Sequence, residues 1–162
     1  MITSRSRYAL KIMMDLAKHE DLQQRRHDIS SRHGIPADYM DHILASLREG
    51  GLVESIRGRN GGLKIGRPAL EITVWDIFQS AETNMQPVAC LDTNYQCSIL
   101  DACISKSAWG EIYAAMRTAL SLLSLKSLAD KYESTDHSTP VNDVGEFFVQ
   151  ECKAPSRAPV SN

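Results

Sequence analysis

The sequence predicts a mainly α-helical protein with a small β-wing: a winged helix-turn-helix followed by a long dimerisation helix. Three observations favour this fold class. Two short helical segments are joined by a tight glycine turn, a basic glycine-rich hairpin follows them directly, and a long apolar stripe at helical spacing lies late in the chain. A stripe of that length needs a partner surface, and a second copy of the chain is the simplest one.

The first predicted helix covers residues 4–19, where apolar side chains recur at three- and four-residue spacing. Ser4 or Ser6 is available as its N-cap. Residues 20–27 are polar and charged, which predicts a loop before the next helix.

Two shorter helices are predicted next, joined by a tight turn at Gly34. Asp28 is placed to cap the first, which ends at His33, and Pro36 opens the second at its first turn, where proline costs no hydrogen bond. Gly50 and the glycine after it end the second helix. Its predicted buried face consists of five residues: Tyr39, Met40, Ile43, Leu44 and Leu47. Such a pair is typical of a helix-turn-helix, although plain helical bundles contain it too.

A β-hairpin is predicted directly after this helix pair. Residues 52–56 form its first strand and residues 62–65 its second, and the loop between them contains Asn60-Gly61, a favoured hairpin turn. Arg57, Arg59 and Lys64 make the hairpin basic. A short basic hairpin is often only a solvated turn, but its position after a helix-turn-helix favours a DNA-binding wing.

The second half of the chain contains two further helical patterns around a cysteine-containing segment. Residues 73–85 are predicted to be helical, residues 86–104 contain three cysteines, and residues 105–131 form the longest helical pattern. Serine, threonine, proline and aspartate dominate after residue 133, which predicts a flexible tail with one helical turn near residues 144–149. The predicted organisation is a DNA-binding domain at 1–70, a cysteine loop and dimerisation helix at 71–132, and the tail at 133–162.

Charge is distributed unevenly along the chain. Residues 1–67 carry 12 Lys/Arg against 8 Asp/Glu, whereas residues 68–162 carry 6 against 12, so the overall net charge of −2 hides a basic first half. A basic half joined to an acidic half is typical of a nucleic-acid-binding module fused to another function.

Composition excludes several classes of protein. The 43% of hydrophobic residues is sufficient for a core, and no apolar run approaches about 18 residues, so we expect no membrane span. The first residues lack a signal-peptide pattern, which predicts a cytoplasmic protein. We find no convincing Ser-His-Asp order, phosphate loop, nucleotide fingerprint or carboxylate pair, and we therefore expect no enzyme.

Three of the four cysteines are clustered. Six residues separate Cys90 from Cys97, and five separate Cys97 from Cys103. Disulfides are rare in cytoplasmic proteins, and the tight Cys-x-x-Cys pairs of most zinc ribbons are absent. Thiolates at wider spacing can hold an iron–sulfur cluster. From spacing alone, a cluster, a zinc site and inert buried thiols all remain open.

Several of these segments together resemble the Rrf2 family, and in particular its iron–sulfur members, the RirA, NsrR and IscR regulators. The residues that carry the resemblance are the wing Arg57-Gly58-Arg59-Asn60-Gly61-Gly62, the following Gly66-Arg67-Pro68-Ala69, the sequence Ile72-Thr73-Val74, and the three cysteines. The likeness extends from about residue 2 to residue 132. The wing and the Gly-x-Pro-Ala sequence are closer to RirA and NsrR than to IscR.

The resemblance implies a homodimer that binds a double-stranded operator with two-fold-related half-sites. It also implies that Cys90, Cys97 and Cys103 hold an iron–sulfur cluster, a 4Fe-4S cluster in the first instance, with 2Fe-2S or 3Fe-4S as alternatives. The form that binds DNA differs across the family, and the likeness to RirA and NsrR favours a repressor with the cluster bound. The regulator would sense iron or cluster supply, redox state or nitric oxide.

The resemblance leaves the fourth cluster ligand open. Lys106 occupies the position at which IscR has a histidine, and Tyr8 the position near which NsrR-type proteins recruit an acid. The remaining candidates are water or a small thiol, and four side chains: Asp92, Asp101, His33 from the facing subunit, and Cys152.

The resemblance also assigns DNA contacts. Arg57 falls at the family's wing arginine, which reaches the minor groove, and Arg59, Asn60 and Lys64 accompany it. Asp41 matches a position where a carboxylate can accept a hydrogen bond from a cytosine amino group, although a solvated surface acid fits it equally well. The start of the recognition helix contributes Pro36, Ala37, Asp38, Tyr39, Asp41 and His42.

An alternative within the same fold is a winged-helix regulator without iron. In that case the cysteines would form a thiol–disulfide switch or a zinc site, and analysis of metal and sulfide would separate the two hypotheses.

Overall fold

A computed structural model describes residues 2–58, 61–92, 94–97 and 103–133. Its elements are mainly helical with one two-stranded sheet, which confirms the predicted fold class. In chain order they are α1 (Ser4–Lys18), α2 (Arg26–His33), α3 (Ala37–Glu49), β1 (Val53–Ile56), β2 (Gly62–Ile65), α4 (Val74–Ala81), a 3-10 turn (Ala89–Leu91), α5 (Lys106–Ser121) and α6 (Leu125–Glu133).

Helix α1 begins at Ser4, so its N-cap precedes both of the predicted caps. Thr3 is the N-cap, and its hydroxyl accepts a hydrogen bond from the Arg5 N–H at 3.0 Å. The prediction of Ser4 or Ser6 as the cap is therefore wrong: both lie within α1, and Ser6 is buried and donates to Glu82, just after α4. The apolar face of α1 is almost fully buried through Ala9, Ile12, Met13 and Leu16.

Helices α2 and α3 form the predicted helix-turn-helix. Arg26 begins α2, so Asp28 lies in its first turn and does not cap it. Gly34 ends α2 with a φ of 61°, in the left-handed region that glycine adopts without steric cost. Ser30 then closes the turn, since its backbone C=O accepts from the Ile35 N–H at 3.0 Å and its hydroxyl donates to the Ile35 C=O at 2.7 Å.

Pro36 is the N-cap of α3, directly before its first helical residue. Four of the five residues predicted for its buried face are fully buried, namely Met40, Ile43, Leu44 and Leu47. Tyr39 is only half-buried, and its ring meets that of Tyr8 edge-on at 5.6 Å.

Strands β1 and β2 form the antiparallel wing, with Val53 opposite Ile65 and Ile56 opposite Gly62. The wing is also joined to the chain before α2, because Gln24 and Leu63 exchange two backbone hydrogen bonds of 2.9 and 2.8 Å. A Cβ at position 62 would lie 2.9 Å from the Gln24 C=O, so this approach requires glycine. The predicted Asn-Gly turn includes Asn60, which lies outside the described residues.

Helix α4 packs on α1 and ends at Ala81, earlier than the predicted residue 85. Thr73 and Asp76 form a capping box at its start. Glu82 follows the helix in an extended conformation, and one of its carboxylate oxygens accepts four hydrogen bonds from the start of α1. The donors are the backbone N–H and hydroxyl groups of Thr3 and Ser6.

The long helix predicted over residues 105–131 is broken. Helix α5 ends at Ser121, and α6 begins at Leu125. The reason is an extended pairing with the chain before α4: the Val74 N–H donates to the Leu123 C=O at 2.9 Å, and the Leu125 N–H donates to the Ile72 C=O at 2.7 Å. Helix α6 then packs on α1 and buries two apolar side chains, Leu125 and Ala129.

Helices α4 and α6 therefore share one hydrophobic core with the helix-turn-helix and the wing. None of the helices in the described ranges is long and apolar enough to cross a membrane. The tail from residue 134, with its predicted helical turn and Cys152, lies outside the described residues.

The Glu82 contacts generate a prediction about stability. Burial raises the pKa of Glu82, but the hydrogen bonds from Ser6 and Thr3 outweigh burial and hold this pKa below its ordinary value. The ionised carboxylate therefore stabilises the fold above the unfolded-state pKa, and the stabilisation is lost as pH falls through the lower folded-state pKa. We expect Glu82→Ala to lower the free energy of unfolding by about 1–3 kcal/mol at pH 7.

Urea unfolding at equal protein concentration between pH 7 and pH 3 measures this effect. The gap between wild type and Glu82→Ala should narrow in acid, and Glu20→Gln, at an exposed acid, is the control. Equal stability of Glu82→Ala and the control at pH 7 would show that these hydrogen bonds do not stabilise the fold.

Candidate nucleic-acid interface and cysteine segment

The exposed side of α3 brings together most of the predicted base-contacting residues. The buried residues of α3 recur every three or four positions, which leaves the opposite face to solvent. Tyr39 lies half-buried at the edge of this face. The other predicted base-contacting residues of this helix and its N-cap are all exposed: Pro36, Ala37, Asp38, Asp41 and His42.

Asp41 is held by a residue that the sequence did not single out. Arg26, the first residue of α2, donates from Nη1 to Oδ1 of Asp41, and the hydrogen bond raises the pKa of Arg26. These residues are 15 positions apart on different helices, so no helical spacing indicated the pair. The only sequence signal for the Arg26–Asp41 pair is an arginine at the start of one helix and an acid in the other helix of a helix-turn-helix.

A buried carboxylate connects α1 to α2. The side chain of Asp15 is 5% exposed, and its Oδ2 accepts from Arg32 at 2.9 and 3.0 Å and lies 3.0 Å from Nε2 of His33. Burial raises the pKa of Asp15, but the bonds to His33 and Arg32 outweigh it and lower the pKa overall. His33, a predicted fourth cluster ligand, thus contacts Asp15 of its own chain; its role as a ligand stays a prediction.

The described part of the wing presents one exposed arginine at the end of β1, Arg57. Lys64, on β2, lies opposite Glu54 and forms an ion pair with it at 3.0 Å. The charge of Lys64 is therefore partly offset within the hairpin. Arg59 and Asn60 lie outside the described residues.

The three predicted cluster ligands lie between α4 and α5, and all three are free, half-buried thiols. Cys90 is in the 3-10 turn, and Cys103 lies just before α5 with its Sγ 3.4 Å from the Ser105 hydroxyl. Hydrogen bonds from Ser105 lower the pKa of Cys103, which favours the thiolate that metals bind. Asp92 is exposed, and its Oδ1 accepts from the Asn94 N–H at 2.8 Å.

The donor set fits an iron–sulfur cluster, since three free thiols within one short segment are the ligands that such clusters use. Among the described residues, no three His, Cys, Asp or Glu side chains are grouped so that they could hold a metal ion. Residues 98–102, which contain the candidate ligand Asp101, lie outside the described residues.

A helix-turn-helix with an exposed polar face on its second helix, followed by a basic hairpin, defines a winged-helix DNA-binding protein. Comparison with protein families identifies the particular group. Residues 2–131 match the model of the Rrf2 family, which is described as "Iron-dependent Transcriptional regulator". The chain belongs to the Rrf2 family.

Relatives and solved structures agree with this assignment. The chain is 32% identical over 128 residues to Protein rrf2 of Nitratidesulfovibrio vulgaris, covering 78% of this chain and 85% of that protein. It is 32% identical over 136 residues to the HTH-type transcriptional regulator IscR of Photorhabdus laumondii, covering 83% and 82%. The structure of CymR, the global cysteine regulator of B. subtilis, matches with a TM-score of 0.66 and 28% identity, covering 81% of this chain and 97% of CymR.

These similarities confirm the resemblance to the Rrf2 family, and the nearer likeness to RirA and NsrR stays a prediction. The chain is a DNA-binding transcription regulator of the Rrf2 family, and it is not an enzyme.

The buried Asp15 generates a second prediction. Asp15→Asn keeps the shape of the side chain but removes the charge that Arg32 and His33 face. Because hydrogen bonds to charged groups contribute about 1.5–3 kcal/mol, we expect the free energy of unfolding to fall by about 2 kcal/mol. Urea unfolding at pH 7 measures the loss, and amide hydrogen exchange should become faster in α2.

Asp21→Asn is the matched control, since Asp21 is an exposed aspartate in the loop after α1. If both variants unfold at the same urea concentration, the Asp15 contacts contribute no more than a surface charge does.

Proposed function

We propose that this chain is a homodimeric repressor whose affinity for a two-fold-related operator is controlled by an iron–sulfur cluster on Cys90, Cys97 and Cys103. The observation that carries the proposal is the position of three free thiols in the segment between α4 and α5, directly joined to a winged-helix module. The signal would be iron or cluster supply, redox state or nitric oxide.

In this proposal DNA is bound by two surfaces of each protomer. The exposed face of α3 enters the major groove, where Asp41 accepts from a base and neighbouring residues contact the backbone. Arg57 reaches the adjacent minor groove, which attracts arginine where it is narrow. The remaining contacts come from Pro36, Ala37, Asp38, Tyr39, His42, Arg59, Asn60 and Lys64.

Helix α5 supports the proposal of a homodimer. None of its residues is buried within one protomer, although its sequence is rich in apolar side chains. Trp109 is 37% exposed, Ile112 51%, and Leu122, just after the helix, 79%. A second copy placed by a two-fold axis would cover this face with the same surface. The two winged modules would then be held at a fixed separation, as two half-sites require.

The three thiolates would hold the cluster, for which we favour the 4Fe-4S type over 2Fe-2S or 3Fe-4S. When bound, the cluster supplies a centre that oxidants, nitric oxide and iron shortage can alter. A fourth ligand would come from Asp92, Asp101, His33 of the partner subunit, Cys152 or a small molecule. Of these side chains, Asp92 is exposed in the structure and is therefore accessible to a cluster bound nearby.

Contacts of the described residues supply a route from the cysteine segment to the recognition helix. Glu82, at the start of the segment, bonds to Thr3 and Ser6 of the α1 N-terminus. Between those residues, Arg5 donates to the Ser46 hydroxyl of α3 at 2.5 Å. A rearrangement of the cysteine segment would therefore change how α1 and α3 are held, which shifts the population of the DNA-binding arrangement.

A second candidate function is a winged-helix regulator with a thiol–disulfide or zinc switch and no cluster. Two observations favour this candidate. The described thiols are not grouped as a metal site, and the fold is similar to that of CymR, a global cysteine regulator. Accessible thiols of lowered pKa oxidise most readily, and Cys103 is a half-buried thiol whose pKa is lowered.

Removal of one cysteine tests the cluster. We expect anaerobically purified wild type to be coloured and to give, in native mass spectrometry, a dimer whose added mass matches one 4Fe-4S cluster per chain. Cys97→Ala should lose the colour because two thiolates cannot replace three, while circular dichroism shows the winged domain still folded. Ser31→Ala, at an exposed side chain of similar size in α2, is the control and should keep the colour.

A colourless wild type that iron and sulfide cannot reconstitute would contradict cluster binding. Zinc in the metal analysis, or a disulfide after mild oxidation, would then establish the second candidate.

Removal of the wing arginine tests the DNA interface. We expect Arg57→Ala to raise the Kd for the operator about tenfold at fixed salt, with the dimer intact, because a minor-groove cation is lost. Lys64→Ala should have a smaller effect, since Glu54 already offsets its charge. Fluorescence anisotropy on labelled operator measures both, and an unchanged Kd for Arg57→Ala would show that the wing assignment is wrong.

A further inference from the structure

The charge of α3 is unfavourable for a helix that enters a DNA groove. All of α3 is described, and it carries three acidic residues, Asp38, Asp41 and Glu49, but only one arginine, Arg48. The Arg48 Nε is already bound to the Ser55 hydroxyl at 2.7 Å. Phosphates line both edges of the major groove and repel each carboxylate that approaches. A carboxylate on this face therefore needs a compensating cation.

Arg26 supplies such a cation to Asp41 from the neighbouring helix. Its guanidinium donates to Oδ1, and the two side chains are 50% and 56% exposed. Exposed ion pairs of this kind contribute little to folding stability. Folding stability therefore does not explain the pair. The pair lies on the exposed face of the helix-turn-helix, which binds DNA in the proposed function.

The geometry of the pair leaves part of the carboxylate free for a base. Arg26 takes Oδ1, so Oδ2 can accept a further donor. The planar guanidinium also restricts the orientation of the carboxylate that it holds. The amino groups of cytosine and adenine are both donors in the major groove, but adenine presents its N7 acceptor beside the amino group, which repels a carboxylate, so the N4 amino group of cytosine suits it better.

We propose that Arg26 is a positioning residue for sequence recognition: it orients the Asp41 carboxylate and offsets its charge, so that Asp41 accepts a hydrogen bond from a cytosine amino group. The inference rests on the proposed function, in which α3 lies in the major groove. It differs from a simple phosphate contact in its consequence. Loss of a phosphate contact weakens binding to every sequence equally, whereas loss of positioning weakens the preference for one base pair.

The experiment compares base preference among variants of the full chain in its DNA-binding form. Wild type first selects an operator from a random duplex library. The Kd is then measured at fixed salt for that operator and for copies in which each C·G pair is replaced by T·A. The variants are Arg26→Gln, Asp41→Asn and their double mutant, with Arg25→Gln as the matched control. Arg25 is an exposed arginine one residue away, at the N-cap of α2.

We expect wild type to discriminate about tenfold or more at one C·G pair of each half-site. Arg26→Gln should reduce that discrimination to about threefold or less, with preferences at the other positions unchanged. The double mutant should discriminate no worse than Asp41→Asn, because both substitutions remove the same contact. Arg25→Gln should weaken binding to all sequences by one factor.

Two results would overturn the inference in different ways. If Arg26→Gln weakens all sequences by one factor, as the control does, Arg26 contacts phosphate and does not position Asp41. If Asp41→Asn keeps the wild-type base preference, the Asp41 contact of the proposed function is itself wrong, and the role of Arg26 falls with it.

Discussion

Helix α1 is covered on several sides, and the positions of the other elements depend on that cover. Ile12, Met13 and Leu16 are almost fully buried, and α3, α4 and α6 each add apolar side chains to the core around them. Burial contributes about 25 cal/mol per Å² of apolar surface, so the surface of α1 is where much of the stabilisation arises. Because no single neighbour covers α1, each neighbour has to occupy its own sector for the core to close.

The polar groups of α1 add direction to this packing. Ser6 near its start bonds to Glu82, which leads into the cysteine segment, and Asp15 near its end bonds to Arg32 and His33 of the helix-turn-helix. Buried polar groups must keep their partners, since an unpaired one costs free energy. One helix thus joins the segment proposed to sense a signal to the module that binds DNA, through contacts that neither end can lose without cost.

Elements whose structure is determined by residues close together in the sequence could be predicted. Apolar spacing located α1 and α3, and the glycine at position 34 located the turn between two helices. The break near Ser124 was missed because its cause is a backbone pairing with residues 72–74, about fifty positions earlier, which no helical period reveals. The partnership of Arg26 with Asp41 was missed for the same reason, as it depends on how two helices are placed in space. The cysteines were found from spacing and resemblance, whereas their distances from one another in the folded segment follow from no spacing, and among the described residues they are not grouped as a metal site.

The two hydrogen bonds between Gln24 and Leu63 also affect the entropy of DNA binding. They fix the base of the wing to the chain that enters α2 before any DNA is present, so the wing strands and the recognition helix keep one mutual orientation. If these elements bind DNA as proposed, association would order few additional backbone dihedrals at Gln24 and Leu63, and less conformational entropy would be lost on binding. In the proposed function the operator would therefore meet a surface whose strands and helices are already joined, and more of the free energy of its contacts would be retained as affinity.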